Sequence, residues 1–147
     1  MGNFYSTIQK INFEDMQTVC KNSEVYLIIN TLLDTEQDCL IKGTINATQE
    51  ELLITRHMNS NKNIQIIIYG RNHDDEKIVK KFLQLKSIGF SNVYIYSGGL
   101  FEWLILQDIY GMDEFPTTTK QVDILKYKCS QRLNVGLLMN YTDRKEK

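Results

Sequence analysis

Ile64-Gln65-Ile66-Ile67-Ile68-Tyr69-Gly70-Arg71-Asn72-His73-Asp74-Asp75-Glu76 reads as a buried strand, a short loop and the first turn of a helix. Ile64 to Tyr69 is a nearly unbroken apolar, β-branched run, which suits a central parallel strand covered on both faces. Ile78, Val79, Phe82, Leu83 and Ile88 then recur at helical spacing, and Gly89 stops the helix. Val93-Tyr94-Ile95-Tyr96 reads as the next strand. The unit is βαβ, and its loop lies at the carboxyl end of a strand, where open α/β sheets place their ligand sites.

Working outward, Ile8 to Ile11 is expected as a short edge strand, and Asn12 as the N-cap of a helix through Met16 and Val19, with Asp15 three residues on. Val25 to Asn30 reads as a buried strand, Gly43 to Asn46 as a short strand or extended turn, and Gln49 to His57 as a helix. Beyond the Val93–Tyr96 strand, Phe101, Trp103, Leu104, Ile105 and Leu106 make a helix that is apolar nearly all round. Such a helix is either deeply buried or turns one face to a partner. Pro116, the only proline, closes the compact region. The expected organisation is an N-terminal segment (1–7), an α/β domain (8–116) and an extension (117–147) with an apolar cluster at Leu133, Val135, Leu137, Leu138 and Met139.

The chain of 147 residues can bury one real core, and its 42% apolar and 24% charged residues are an ordinary balance. A net charge of −1 gives no global argument for nucleic acid. The charge is uneven: residues 120–147 carry seven Lys/Arg and three Asp/Glu, a local +4 against −5 elsewhere. Cys20, Cys39 and Cys129 are widely spaced with no C-x-x-C, which argues against a disulfide framework or zinc site and for a reducing, cytoplasmic setting. No run is long and apolar enough to span a bilayer. Met1-Gly2-Asn3-Phe4-Tyr5-Ser6 fits the N-myristoylation pattern, which makes Gly2 a candidate lipidation site. One acyl chain binds membrane weakly, and the basic extension would be the second signal.

The order of elements resembles the rhodanese-like domain over about Ile11 to Tyr110. Leu27-Ile28-Ile29-Asn30-Thr31-Leu32 stands where the family has a strand ending in Asp-Val-Arg. Leu40-Ile41-Lys42-Gly43-Thr44-Ile45-Asn46 is similar to its His-Ile-Pro-Gly-Ala-Ile-Asn segment. Ile67-Ile68-Tyr69-Gly70 falls at its strand ending in Tyr-Cys. Gly89-Phe90-Ser91-Asn92-Val93-Tyr94 and Gly98-Gly99-Leu100-Phe101-Glu102-Trp103 look like its closing Gly-Phe-x-x-Val-x and Gly-Gly-x-x-x-Trp. The segment from Gly98 through Thr118 also looks similar to rhodanese-like proteins of large DNA viruses and protists. The resemblance implies an α/β fold with a central, mainly parallel sheet flanked by helices on both faces, followed by the extension.

Active members of that family carry sulfur as a persulfide on a loop cysteine, backed by amide donors and cations. Carried over by position, the nucleophile falls on Gly70, which has no side chain. The loop continues as Arg71, Asn72, His73, Asp74, Asp75 and Glu76, so one cation faces three carboxylates. Asn30, Leu32 and Leu40 replace the family's Asp, Arg and His, while Gly43, Gly89, Gly98, Gly99 and Trp103 are kept. The expectation is a catalytically inactive module, without cofactor or metal, that binds a protein partner or itself. It would serve as a structural component, in the virion or host cytoplasm if viral, or at a membrane. Its candidate contacts are Phe101, Trp103, Leu104, Leu133, Leu137 and Leu138. The alternative is a sulfurtransferase or cysteine-type phosphatase with a relocated nucleophile, Cys39 or Cys129. His73 is read as an exposed loop residue with no second His or Cys at metal spacing.

Overall fold

The computed structural model describes residues 8–133. Gly2 and the Val135, Leu137, Leu138 and Met139 part of the apolar cluster lie outside them. The described chain runs β1 (Gln9–Ile11), α1 (Phe13–Lys21), β2 (Tyr26–Asn30), α2 (Ala47–Ser60), β3 (Gln65–Tyr69), α3 (Glu76–Ser87), β4 (Val93–Tyr96) and α4 (Gly99–Tyr110). Short 3-10 helices lie at Asp34–Glu36 and Ile124–Tyr127. The strands form a four-stranded sheet in the order β1-β4-β3-β2, and every named pairing is parallel.

The isoleucine run works as expected for a strand buried on both faces. Ile67 and Tyr69 belong to one core with Met16 and Val19 of α1 and Leu100, Trp103 and Leu104 of α4. Ile66 and Ile68 belong to the other, with Ile54 of α2 and Ile78, Phe82 and Leu85 of α3. Each fully buried side chain of this kind contributes about 1.5–3 kcal/mol. Helix starts follow local chemistry. The Asn12 side chain accepts from the Asp15 N–H at 2.9 Å while the Asp15 carboxylate accepts from the Asn12 N–H at 3.1 Å, a reciprocal cap. Asp75 caps α3, its Oδ1 accepting from the Lys77 N–H at 3.0 Å.

Past Pro116 the extension folds back onto the domain. Thr117 bridges Ile41 in antiparallel fashion, and the Thr118 N–H donates to Leu40 O at 2.8 Å. The Trp103 indole N–H donates to Pro116 O at 3.1 Å. Tyr127 is fully buried in the core on the α1/α4 side. The extension through residue 127 is held here by Tyr127, which is buried in the same core as Leu32, Cys39 and Leu40. Two expected contact residues are corrected by the same packing: Trp103 and Leu104 are buried within the chain and present nothing to a partner. Phe101 is half-buried and Leu133 is exposed.

Candidate functional site

Gly70 directly follows β3 and faces a filled space. The Thr31 hydroxyl, just beyond β2, donates to Asp75 Oδ2 at 2.7 Å. A Cβ built on Gly70 would overlap Asp75 Oδ2 and come within 2.5 Å of Thr31 Oγ1. Gly99, at φ +69°, closes the opposite wall, where a Cβ would lie 2.8 Å from Gly70 O and 2.9 Å from the Asn72 backbone. The first amides of α4 are already used: Leu100 N–H donates to Gly70 O at 2.9 Å and Phe101 N–H to Arg71 O at 2.8 Å. The loop amides of Asp74 and Asp75 are taken by the Asn72 side chain and carbonyl, at 2.9 and 3.4 Å. Those donors are therefore occupied by the protein's own acceptors.

The extension crosses this loop. Asn72, which is buried, donates through Nδ2 to Tyr127 O at 2.8 Å. The Arg71 guanidinium pairs with Glu36, donates to Lys126 O and lies 5.3 Å from the centre of the Tyr127 ring. Arg132 pairs with Asp74, which is half-exposed. The reading of one cation against three carboxylates is amended: Lys128 and Arg132 join Arg71 and Lys77 around the cleft that Asp74, Asp75 and Glu76 line. Arg71 itself is engaged on three sides by Glu36, Lys126 and Tyr127.

His73 is not isolated. Its Nδ1 lies 3.6 Å from Cys129 Sγ, within hydrogen-bond reach of a thiol, in an open cleft of about 600 Å³. The sequence gives no sign of this contact, because 56 residues separate the pair. Cys39 is fully buried, with its Sγ 3.5 Å from Thr119 O. Cys20 is half-buried, and burial pushes its thiol up to about 11 against the opposing pull of Lys42, which keeps it protonated and unreactive near neutral pH. Among the described residues no cluster of three or more His, Cys, Asp or Glu is placed to hold a metal.

The altered polar positions are integrated into the core. Asn30 is buried and satisfied: its Nδ2 donates to Gln37 Oε1 and Ile45 O, and its Oδ1 accepts from Leu32 N–H at 3.0 Å. Leu32 and Leu40 pack into the α1/α4 core. Tyr69 lends its hydroxyl to the Ile41 N–H at 3.0 Å and to Thr44, and burial raises its pKa. Tyr96 donates to Glu102 Oε1 at 2.6 Å; burial first, and this bond second, raise its pKa. Thr31, Glu36 and Tyr127 shape the loop and were not singled out from sequence. An Asp directly before a helical repeat signals a cap, but nothing local says which hydroxyl its second oxygen meets.

The rhodanese-like domain family matches residues 15–106. Solved structures share the fold. The Alr3790 protein of Anabaena sp. is 22% identical with a TM-score of 0.54, covering 93% of this chain and 94% of its own. The BH2092 protein of Bacillus halodurans is 14% identical with a TM-score of 0.58 over the same shares, 93% and 94%. The solution structure of the rhodanese-like domain of Alr3790 is 25% identical with a TM-score of 0.51, covering 84% of this chain and 92% of its own. No curated protein sequence matches the chain. With the family running from inside α1 to inside α4, and so spanning β2, α2, β3, α3 and β4 whole, the chain belongs to the rhodanese-like domain family.

Proposed function

We propose that the protein is a catalytically inactive rhodanese-like module that acts by binding, as a protein-binding or structural component. One observation carries this reading: the space into which a side chain at position 70 would project is filled by the Thr31–Asp75 hydrogen bond. A loop cysteine could not be accommodated without moving two side chains that cap α3 and tie it to β2. Contacts with a partner come from exposed apolar residues of the extension, Val122, Leu125 and Leu133, and from the outer side of α4 at Ile105 and Ile109. Acylation of Gly2, with the basic extension as second signal, would add weak membrane association to a cytoplasmic or virion component. The test is a thiosulfate:cyanide sulfurtransferase assay on the full chain, with persulfide on each cysteine read by mass spectrometry. A blank on both is expected; turnover would overturn the reading.

A second reading, an enzyme with a relocated nucleophile, is favoured by the Cys129–His73 contact at 3.6 Å. Here the imidazole would take the thiol proton, and the thiolate would attack the outer sulfur of thiosulfate, releasing sulfite and leaving a persulfide on Cys129. Persulfide confined to Cys129, and turnover abolished in Cys129→Ser, would replace the first reading with this one.

A further inference from the structure

A cleft of about 760 Å³ opens beside the filled loop, at the carboxyl end of β2 and between α2 and α3. Open α/β sheets place ligands at such strand ends. Thr31, whose hydroxyl helps to fill the space over Gly70, also lines this cleft, with Asn30 and Leu32. Its walls carry opposite charge. Lys77, Lys80 and Lys81 of α3 recur at helical spacing on one wall, and Glu50 and Glu51 of α2, with Asp34 on the turn after β2, line the other. Lys81 pairs with Glu50 across the cleft. Lys77, Lys80, Asp34 and Glu51 are exposed and form no ion pair among the described residues, so the gap between them is wider than an ion pair. Leu33, which is 48% exposed, and Ala47 add apolar surface to the same cleft.

We propose that this cleft binds a short peptide by its free ammonium and carboxylate ends. Three lysines against three carboxylates leave no net charge, so a simple cation or anion loses at one wall what it gains at the other. A dipole laid across the cleft gains at both. The peptide carboxylate meets Lys77 and Lys80, the ammonium meets Asp34 and Glu51, and the apolar part between them rests on Leu33 and Ala47. Apolar surface with a few charged groups that fix orientation is the usual make-up of a small-ligand cleft, and the volume falls in the usual range of about 300–1,000 Å³. This surface is separate from the partner contacts on the extension and α4, and the proposal stands whether or not the module is inactive.

The experiment titrates the full chain with trialanine and follows the backbone amide resonances. Saturable shifts are expected, concentrated in residues 30–34, 47–51 and 77–84. N-acetyl trialanine keeps only the carboxylate and trialanine amide keeps only the ammonium, and each should bind at least about tenfold more weakly. The absence of saturable shifts at these residues would overturn the proposal. So would equal binding of either blocked peptide, since one wall alone would then account for it. Lys80→Glu, at an exposed position, replaces a positive group with a negative one and should reverse the preference, so that the amide binds more tightly than trialanine. An unchanged preference in that variant would also overturn the proposal. If Lys80→Glu does not fold, the comparison of the peptides on the unmutated protein decides.

Discussion

Thr31 donates its hydroxyl to the Asp75 carboxylate at 2.7 Å, and the pair sits directly over the α-carbon of Gly70. The contact joins the end of β2 to the N-cap of α3 across the carboxyl edge of β3. It closes the position at which the family resemblance places a nucleophile, and it makes glycine the residue that fits.

Restoring the cysteine is therefore not expected to restore chemistry. Gly70→Cys forces Asp75 or Thr31 to move, an overpacking cost of about 1–3 kcal/mol. Chemical denaturation should show a lower midpoint with an unchanged slope, and the sulfurtransferase assay should stay at background. Recovered turnover in this variant would show that the pair yields easily.

Asp75 serves two donors, the Lys77 N–H and the Thr31 hydroxyl. Asp75→Ala should cost about 0.5–2 kcal/mol from the lost cap alone, with a further loss from the unpaired hydroxyl. Asp75→Asn keeps a capping oxygen and should cost less. Equal losses for the two, measured by urea unfolding, would argue that the cap carries nothing.

The extension holds to the loop through Tyr127, whose ring is fully buried and whose hydroxyl meets no acceptor or donor at good hydrogen-bond geometry among the described residues, with the Lys126 ammonium 5.1 Å from the ring centre. Tyr127→Ala should cost about 3–5 kcal/mol, as for other large aromatic truncations. Tyr127→Phe removes an unsatisfied buried group and should be neutral or slightly stabilising. A large loss for Tyr127→Phe would mean that the hydroxyl is bonded after all.

Alkaline stability follows from Tyr69 and Tyr96, whose pKa values in the folded protein are raised by burial above the unfolded value of about 10. The unfolded chain loses these protons first, so stability is full below pH 10 and falls as pH rises beyond it. The slope is up to about 1.4 kcal/mol per pH unit for each group. Cys20, pushed up to about 11, adds a loss that begins near its ordinary value of 9.0. Unfolding curves from pH 8 to 11 should show this decline, and Tyr96→Phe should flatten it above pH 10.

The three cysteines should differ sharply in reactivity. Cys129 is partly exposed beside His73, Cys20 is half-buried and held protonated, and Cys39 is fully buried. Iodoacetamide labelling of the native protein should therefore proceed at Cys129 first and at Cys39 last. His73→Ala should slow the Cys129 reaction if the imidazole takes its proton, and leave it unchanged if it does not.

The sequence by itself determined the scaffold. The Ile64–Tyr69 run, the Asn12 cap, the stop at Gly89 and the Gly98-Gly99 turn are local or periodic signals, and each reports its own stretch of backbone. Strand Val93–Tyr96 appears with the bounds its sequence implies, and the parallel order of β2, β3 and β4 follows from the βαβ repeat. What only the tertiary structure decided is what lies over the loop. Thr31 meets Asp75 across 44 residues, Asn72 meets Tyr127 across 55, and His73 meets Cys129 across 56. Such contacts leave no periodic trace, because they depend on where the folded core has a vacancy for one ring and which oxygen that places within reach of a donor. The apolar α4 shows the same limit: its composition demanded burial, but only packing could show that Trp103 and Leu104 face inward while Ile105 and Ile109 face out.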